Sequence, residues 1–288
     1  MKKLLPLVCL GLLFAFAGCQ SGEKETSGDE ANEKTPTEEF AENAKDENFK
    51  KSHETPKTKT NYNFTGNKIK FKTMDDQGIG YAYKLSASPA SNDFLFVVHE
   101  WWGINENVMS ETERLYKVLK GKVNVILVDL YDGRSTNDRD EASKFMQEVK
   151  TERCQSIVEG AIQYAGKDAR IGTVGWCFGG GWSLQTAIAA KENGIASVIY
   201  YGMPETKADK LANLNAEVLG IFASEDKWIT PKVVSDFESV MKAVGKTVTT
   251  KSFNADHAFA NPSGERYDKK AAIEANALVD KFLQDKFL

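Results

Sequence analysis

The stretch Ile171 to Ser183, IGTVGWCFGGGWS, constrains this chain more than any other. Ile171 to Val174 is a short apolar run that reads as a buried strand. Gly175, Trp176, Cys177, Phe178 and Gly179 follow, and then Gly180, Gly181 and a helix-compatible run to Ala190. Strand, tight turn with a reactive atom at its tip, then helix is the layout of a nucleophile elbow, with Cys in the place of Ser. Close packing of strand and helix leaves no room for side chains beside the turn. That accounts for glycines two before and two after Cys177.

The remaining chain supplies a setting for such a turn. Lys68 to Thr73 and Gly80 to Leu85 read as strands joined by the turn-forming Asp75 to Gly78. Phe94 to Val98, Val123 to Val128, Ser197 to Tyr201, Val218 to Ala223 and Thr247 to Phe253 read as further strands. Helices are expected over Asn105 to Lys120, Arg139 to Ala165, Val233 to Val244 and Lys269 to Phe287. Strands alternating with helices predict an α/β fold, with a mostly parallel sheet covered by helices on both faces. The first two strands lack a crossover helix and are expected as an antiparallel edge. With 288 residues, 41% hydrophobic content and no second shift in composition, one domain over residues 62–288 is the simplest account.

The N-terminus is different in kind. Met1-Lys2-Lys3 precedes an apolar run from Leu4 to Ala17, too short to span a membrane, which ends at Gly18-Cys19. This resembles a bacterial lipoprotein signal, implying cleavage after residue 18 and lipidation of Cys19. The protein would then be lipid-anchored to a membrane of the bacterial cell envelope, on its periplasmic or surface side. Residues 19–61 are polar and charged with few large apolar side chains, and are expected as a disordered tether that contains His53. Once Cys9 leaves with the signal and Cys19 is lipidated, Cys154 and Cys177 remain. Cys154, on a helix-like stretch, reads as a small buried hydrophobe. Net charge is −4, so no basic footprint for nucleic acid appears. No metal-ligand spacing and no phosphate-binding loop stands out, so no metal or cofactor is expected. The oligomeric state is left open.

Active sites in such sheets form beyond the carboxyl ends of strands. There the chain places His99-Glu100-Trp101-Trp102, then Cys177, then Ser224-Glu225-Asp226, then Asp256-His257. Nucleophile, acid and His arrive in the order of the α/β hydrolases. A Cys nucleophile acts as thiolate, and an imidazole oriented by a carboxylate can take its proton. His257 is the candidate base, and Asp226 or Glu225 the orienting acid. His99, at the end of a buried strand, reads as structural. Asp256, adjacent to His257, reads as a turn residue.

HEWWGIN (His99 to Asn105), VDLYDG (Val128 to Gly133), GWCFGGG (Gly175 to Gly181), SEDKWITP (Ser224 to Pro231) and DHAFANP (Asp256 to Pro262) together resemble the dienelactone hydrolase family. The resemblance implies the α/β-hydrolase fold and a Cys177–Asp226–His257 triad. It further implies an oxyanion hole from the backbone N–H groups of Trp101 and Phe178, and a part for Glu100 in activating the nucleophile. Glu100 has an alternative reading, a buried carboxylate that holds a loop. For substrate binding the resemblance points to Arg139 and to the position four after the catalytic His, where the family has an arginine and this chain has Asn261. That departure makes a neutral ester or lactone at least as good a match as the anionic archetype. Trp101, Trp102, Trp176 and Phe259 are candidates for an apolar pocket wall. The expected activity is hydrolysis of small-molecule esters or lactones through a thioester. The competing reading is a membrane-tethered binding protein that keeps the fold without catalysis. A redox role for Cys177 would need a resolving cysteine, and none is evident.

Overall fold

The computed structural model describes residues 1, 34–53, 55–57, 62–76 and 78–288. Apart from Met1, the signal segment and Cys19 lie outside the described residues. No helix among the described residues is long and apolar enough to cross a membrane.

A single eight-stranded sheet organises the chain. Its strands are β1 (Asn67–Lys72), β2 (Ile79–Leu85), β3 (Asp93–Val98), β4 (Asn124–Asp129), β5 (Arg170–Trp176), β6 (Gly194–Tyr200), β7 (Glu217–Ala223) and β8 (Val248–Phe253). The spatial order is β1-β2-β4-β3-β5-β6-β7-β8. β1 pairs antiparallel with β2, and β2 antiparallel with β4; every other pairing is parallel. The expected antiparallel edge is therefore present. Every residue of β4 is buried, as are five of six in β3. Side chains alternate between faces along a strand, so unbroken burial means that both faces are covered. That is why these strands read as continuous apolar runs.

Helices α3 (Glu106–Val118) and α9 (Lys269–Phe287) pack together, linked by the two-pronged Arg114–Asp280 ion pair at 2.7 and 2.8 Å. The helical stretch expected over Arg139 to Ala165 is two helices, α4 (Arg139–Glu148) and α5 (Thr151–Ala165), because Val149 and Lys150 are extended. They cover different partners: α5 lies on the sheet edge and on α6 (Phe178–Ala190), and α4 lies under the N-terminal segment. Two further helices, α7 (Ala208–Leu211) and α8 (Pro231–Ala243), complete this domain.

The largest departure from expectation is in the tether. Its described part carries two helices, α1 (Pro36–Asn43) and α2 (Glu47–Ser52), packed against the domain. Local chemistry starts both. Thr35 and Glu38 form a reciprocal capping box with Pro36 in the first turn, and the Asp46 carboxylate accepts from the N–H groups of Asn48 and Phe49. Phe40, Ala44 and Phe49 are buried, and the Ser143 hydroxyl donates to the Ala44 carbonyl at 2.6 Å. Averaged composition conceals this, because two aromatics in a charged segment suffice when an apolar surface waits for them.

Candidate active site

The elbow is built as its glycines require. Cys177 sits at φ 58°, ψ −121°, a backbone conformation that L residues rarely adopt, between β5 and α6. A Cβ on Gly175 would lie 2.0 Å from the Gly179 carbonyl oxygen. One on Gly179 would lie 2.4 Å from the carbonyl oxygens of Val98 and His99. Neither neighbour can yield, since all are backbone. The turn therefore holds the Cys177 thiol rigidly at the carboxyl end of β5.

The acid and the base arrive from the next strand ends. Asp226 follows β7 and is buried, whereas Glu225 beside it is exposed, which decides between the two candidates. Asp226 Oδ1 accepts from the N–H groups of Trp228 at 2.9 Å and Ile229 at 3.0 Å. Its Oδ2 lies 2.6 Å from His257 Nδ1. Burial alone would raise the Asp226 pKa, but the His257 charge and these donors outweigh it and hold the carboxyl below its usual range. Burial likewise opposes charging of His257; the adjacent Asp226 carboxylate reverses this and holds the imidazole well above its ordinary value. With Nδ1–H committed to Asp226, the ring presents its buried Nε2 to the cleft, toward the Cys177 thiol. Burial pushes the Cys177 thiol up; His257 and the Phe178 N–H pull the other way without cancelling it. The nucleophile in this closed state is therefore a thiol.

Glu100, just beyond β3, is also buried. Its Oε2 accepts from Asn261 Nδ2 at 2.6 Å, while Asn261 Oδ1 accepts from the Ser263 N–H and hydroxyl. Asn261 thus holds a carboxyl and a loop. Burial raises the Glu100 pKa to about 7, against the opposing pull of His257 and Asn261. An acid whose folded pKa lies above its unfolded value contributes stability below the unfolded value and loses it as pH rises toward the folded one. From 4.5 to about 7 this corresponds to about 3 kcal/mol. Denaturation midpoints at about pH 4.5 and about pH 8 should therefore show Glu100→Gln gaining on the wild type at the higher pH by roughly that amount. An unchanged difference would remove Glu100 as the buried titrating group.

His99 is a satisfied core histidine, as expected: Nδ1 donates to the Glu100 carbonyl at 2.6 Å and Nε2 accepts from the Leu130 N–H at 3.1 Å. Asp256 is the expected turn residue, accepting from the His257 N–H at 2.7 Å. Trp101 and Trp102 are buried, and both line the space beside Cys177. Arg139 does not line that space; it opens α4. Arg266, nine residues after His257, does line it, paired with Asp256 at 2.9 Å. Sequence spacing gave no reason to single out Arg266.

The residue that the sequence assigns to the tether and the structure brings to the nucleophile is His53. It follows α2, is buried, and points its Nε2 at Cys177 Sγ across 3.7 Å. Its ring lies 4.4 Å from that of Trp101 and 4.9 Å from that of His257, centroid to centroid. Phe49, one helical turn earlier, wedges edge-on against Trp101 and Trp228. The signal was the Phe49–His53 spacing of four, which lets the ring just past the helix end fold back onto the Phe49 carbonyl. His53 Nδ1 donates to the Phe49 carbonyl at 2.8 Å, leaving Nε2 as a bare lone pair. Burial and the nearby His257 charge keep the ring pKa well below its ordinary value. The arm 34–53 thereby fills the cleft: the space left beside Sγ is about 20 Å³, room for one water, where ligand sites usually offer about 300 Å³ or more. A larger groove of about 330 Å³ lies at the start of α1 and shares no residue with the nucleophile's surroundings.

Comparison with known proteins agrees with this architecture. The model of the dienelactone hydrolase family matches residues 81–287. A protein of Aquifex aeolicus named "Putative carboxymethylenebutenolidase" is 27% identical over 231 residues, covering 76% of this chain and 98% of its own. Protein usf of Aquifex pyrophilus is 25% identical, covering 66% and 87%. Among solved structures, a dienelactone hydrolase-like promiscuous phosphotriesterase from metagenomic libraries superposes with TM-score 0.67 at 15% identity, covering 77% of this chain and 99% of that one. The dienelactone hydrolase from Anabaena variabilis gives TM-score 0.54 at 16% identity, covering 77% and 97%.

Proposed function

The chain belongs to the dienelactone hydrolase family, and from that premise we propose that it cleaves small carboxylic esters or lactones with a Cys177–His257–Asp226 triad. The observation that carries this reading is the strained elbow presenting Cys177 beside a buried imidazole that is bonded to Asp226 at 2.6 Å. His257 takes the thiol proton and Sγ attacks the carbonyl carbon. The backbone N–H groups of Trp101 and Phe178 receive the developing oxyanion. The tetrahedral species collapses to a thioester as His257 returns the proton to the leaving alkoxide. Water, deprotonated by His257, then releases the acid and restores the thiol. The aromatic surface of Trp101 and Trp102 suits an apolar acyl group. The Asn261 amide is held by Glu100 and Ser263, while Arg266, paired with Asp256, is the cation on the same wall. The test is an ester and lactone panel read against Cys177→Ala as the blank; turnover equal in the two proteins sinks the assignment.

Substrate needs the volume that Phe49 and His53 occupy, so hydrolysis requires the arm to lift. Truncating a buried Phe costs about 3–5 kcal/mol, here charged to arm docking rather than to the domain core. In Phe49→Ala, alkylation of Cys177 by iodoacetamide should accelerate at least about tenfold, because the open state gains in population. An unchanged rate would mean that the arm does not gate access.

The same reading places the protein on a membrane of the bacterial cell envelope through lipid on Cys19. Support comes from the sequence: two lysines, a short apolar run and small residues ahead of Cys19. Mass spectrometry of the mature N-terminus tests it, and an unmodified chain still beginning at Met1 would count against it.

A further inference from the structure

We propose that Cys177, His257 and His53 together form a transition-metal site, best suited to Zn²⁺, which closes when the N-terminal arm docks. One thiol sulfur and two imidazole nitrogens, all buried, lie within 4.8 Å of one another. Both rings are oriented by hydrogen bonds that leave Nε2 facing the sulfur. His53 Nδ1 is held by the Phe49 carbonyl, and His257 Nδ1 by the Asp226 carboxylate. A carbonyl or carboxylate behind the ring is the support that metal-binding histidines use. His257 Nε2 is fully buried and faces the Cys177 thiol, so a metal at the sulfur is within its reach.

The dimensions agree. Zn–S near 2.3 Å and Zn–N near 2.0–2.1 Å place tetrahedral ligand atoms roughly 3.3–3.6 Å apart. Cys177 Sγ and His53 Nε2 are at 3.7 Å, and a pair at the 4.8 Å limit must close by about 1.2–1.5 Å. The remaining space of about 20 Å³ holds one water, which supplies the fourth ligand. A linear motif cannot reveal this set, because positions 53, 177 and 257 meet only after folding.

Binding makes a Zn–S bond and two Zn–N bonds. The proton carried by Sγ, and any on His257 Nε2, leaves to solvent. The metal takes the nucleophile's lone pair and the base's lone pair at once, and it ties the arm to the domain through His53. The site thus acts as a latch. Its silencing of hydrolysis rests on the hydrolase reading; the binding itself does not.

The experiment uses the full chain stripped of metal, with Zn²⁺ titrated against a chromophoric chelator and Co²⁺ as a spectroscopic probe. Expected are one Zn²⁺ per chain, a cobalt–thiolate charge-transfer band, and slower Cys177 alkylation. His53→Phe, which keeps an aromatic ring against Trp101, should weaken Zn²⁺ at least about tenfold, and Cys177→Ala should remove the charge-transfer band. Absence of stoichiometric Zn²⁺ binding in the wild type overturns the site, as does equal affinity in His53→Phe. An ester panel run on the metal-free protein separates the two readings. No turnover there refutes the hydrolase assignment and leaves the metal titration to stand by itself.

Discussion

Cys177→Ala should lower hydrolysis of small aryl esters by at least about 10⁴-fold, the scale on which removal of a covalent nucleophile acts. The remaining machinery, two backbone donors and a binding surface, supplies only the residual rate. The fold should persist. Cys177 owes its backbone strain to the elbow, and Ala has the same Cβ that Cys already accommodates at φ 58°. The lost sulfur touches His53 at 3.7 Å, the His257 imidazole and the Phe178 N–H, all at the cleft rather than in the core. Circular dichroism and thermal denaturation should therefore be close to the wild type. A variant that is folded and still turns over its ester would end the nucleophile assignment; an unfolded one would instead contradict the structural reasoning.

Asp226→Asn should cost roughly 10³- to 10⁴-fold in kcat through the tautomer of a neighbour. The Asn oxygen can keep the Trp228 and Ile229 N–H groups that Oδ1 now accepts. Its NH₂ then faces His257 Nδ1, which must become the acceptor. The ring proton moves to Nε2, the atom that has to receive the thiol proton. The pH response has a definite sign. In the wild type the His257 pKa is held up by the carboxylate, so its share of stability is complete below about pH 6.5 and is lost as pH rises through the folded value. The Asp226 share runs the opposite way, present above the unfolded carboxylate value and lost as pH falls through the depressed one. Asp226→Asn should remove both shares and flatten the stability profile on each flank. A kcat within about tenfold of the wild type would show that Asp226 does not set the tautomer.

The legibility of this protein in its sequence followed the range of the interactions. The sheet could be read because buried parallel strands are continuous apolar runs bounded by turn residues, and β3, β4 and β5 are such runs. Asp226 and His257 could be read because each stands just beyond a strand end in chain order. Glu225 and Asp226 could not be separated by composition; burial of one and exposure of the other did that. Periodicity alone predicts one helix over 139–165, and the break at Val149 depends on what the two halves cover.

The elbow, its two flanking glycines, the α/β architecture and the order of nucleophile, acid and base are properties of the sequence alone, because each depends on residues close in the chain or on simple strand–helix alternation. The closing of the site is a property of the tertiary structure. His53 stands 124 residues from Cys177 in the chain and 3.7 Å away in space. Its segment is polar on average, and only the surface formed by Trp101, Phe178 and Trp228 gives Phe40 and Phe49 somewhere to be buried. No local periodicity records a contact whose other half is assembled beyond the ends of three separate strands.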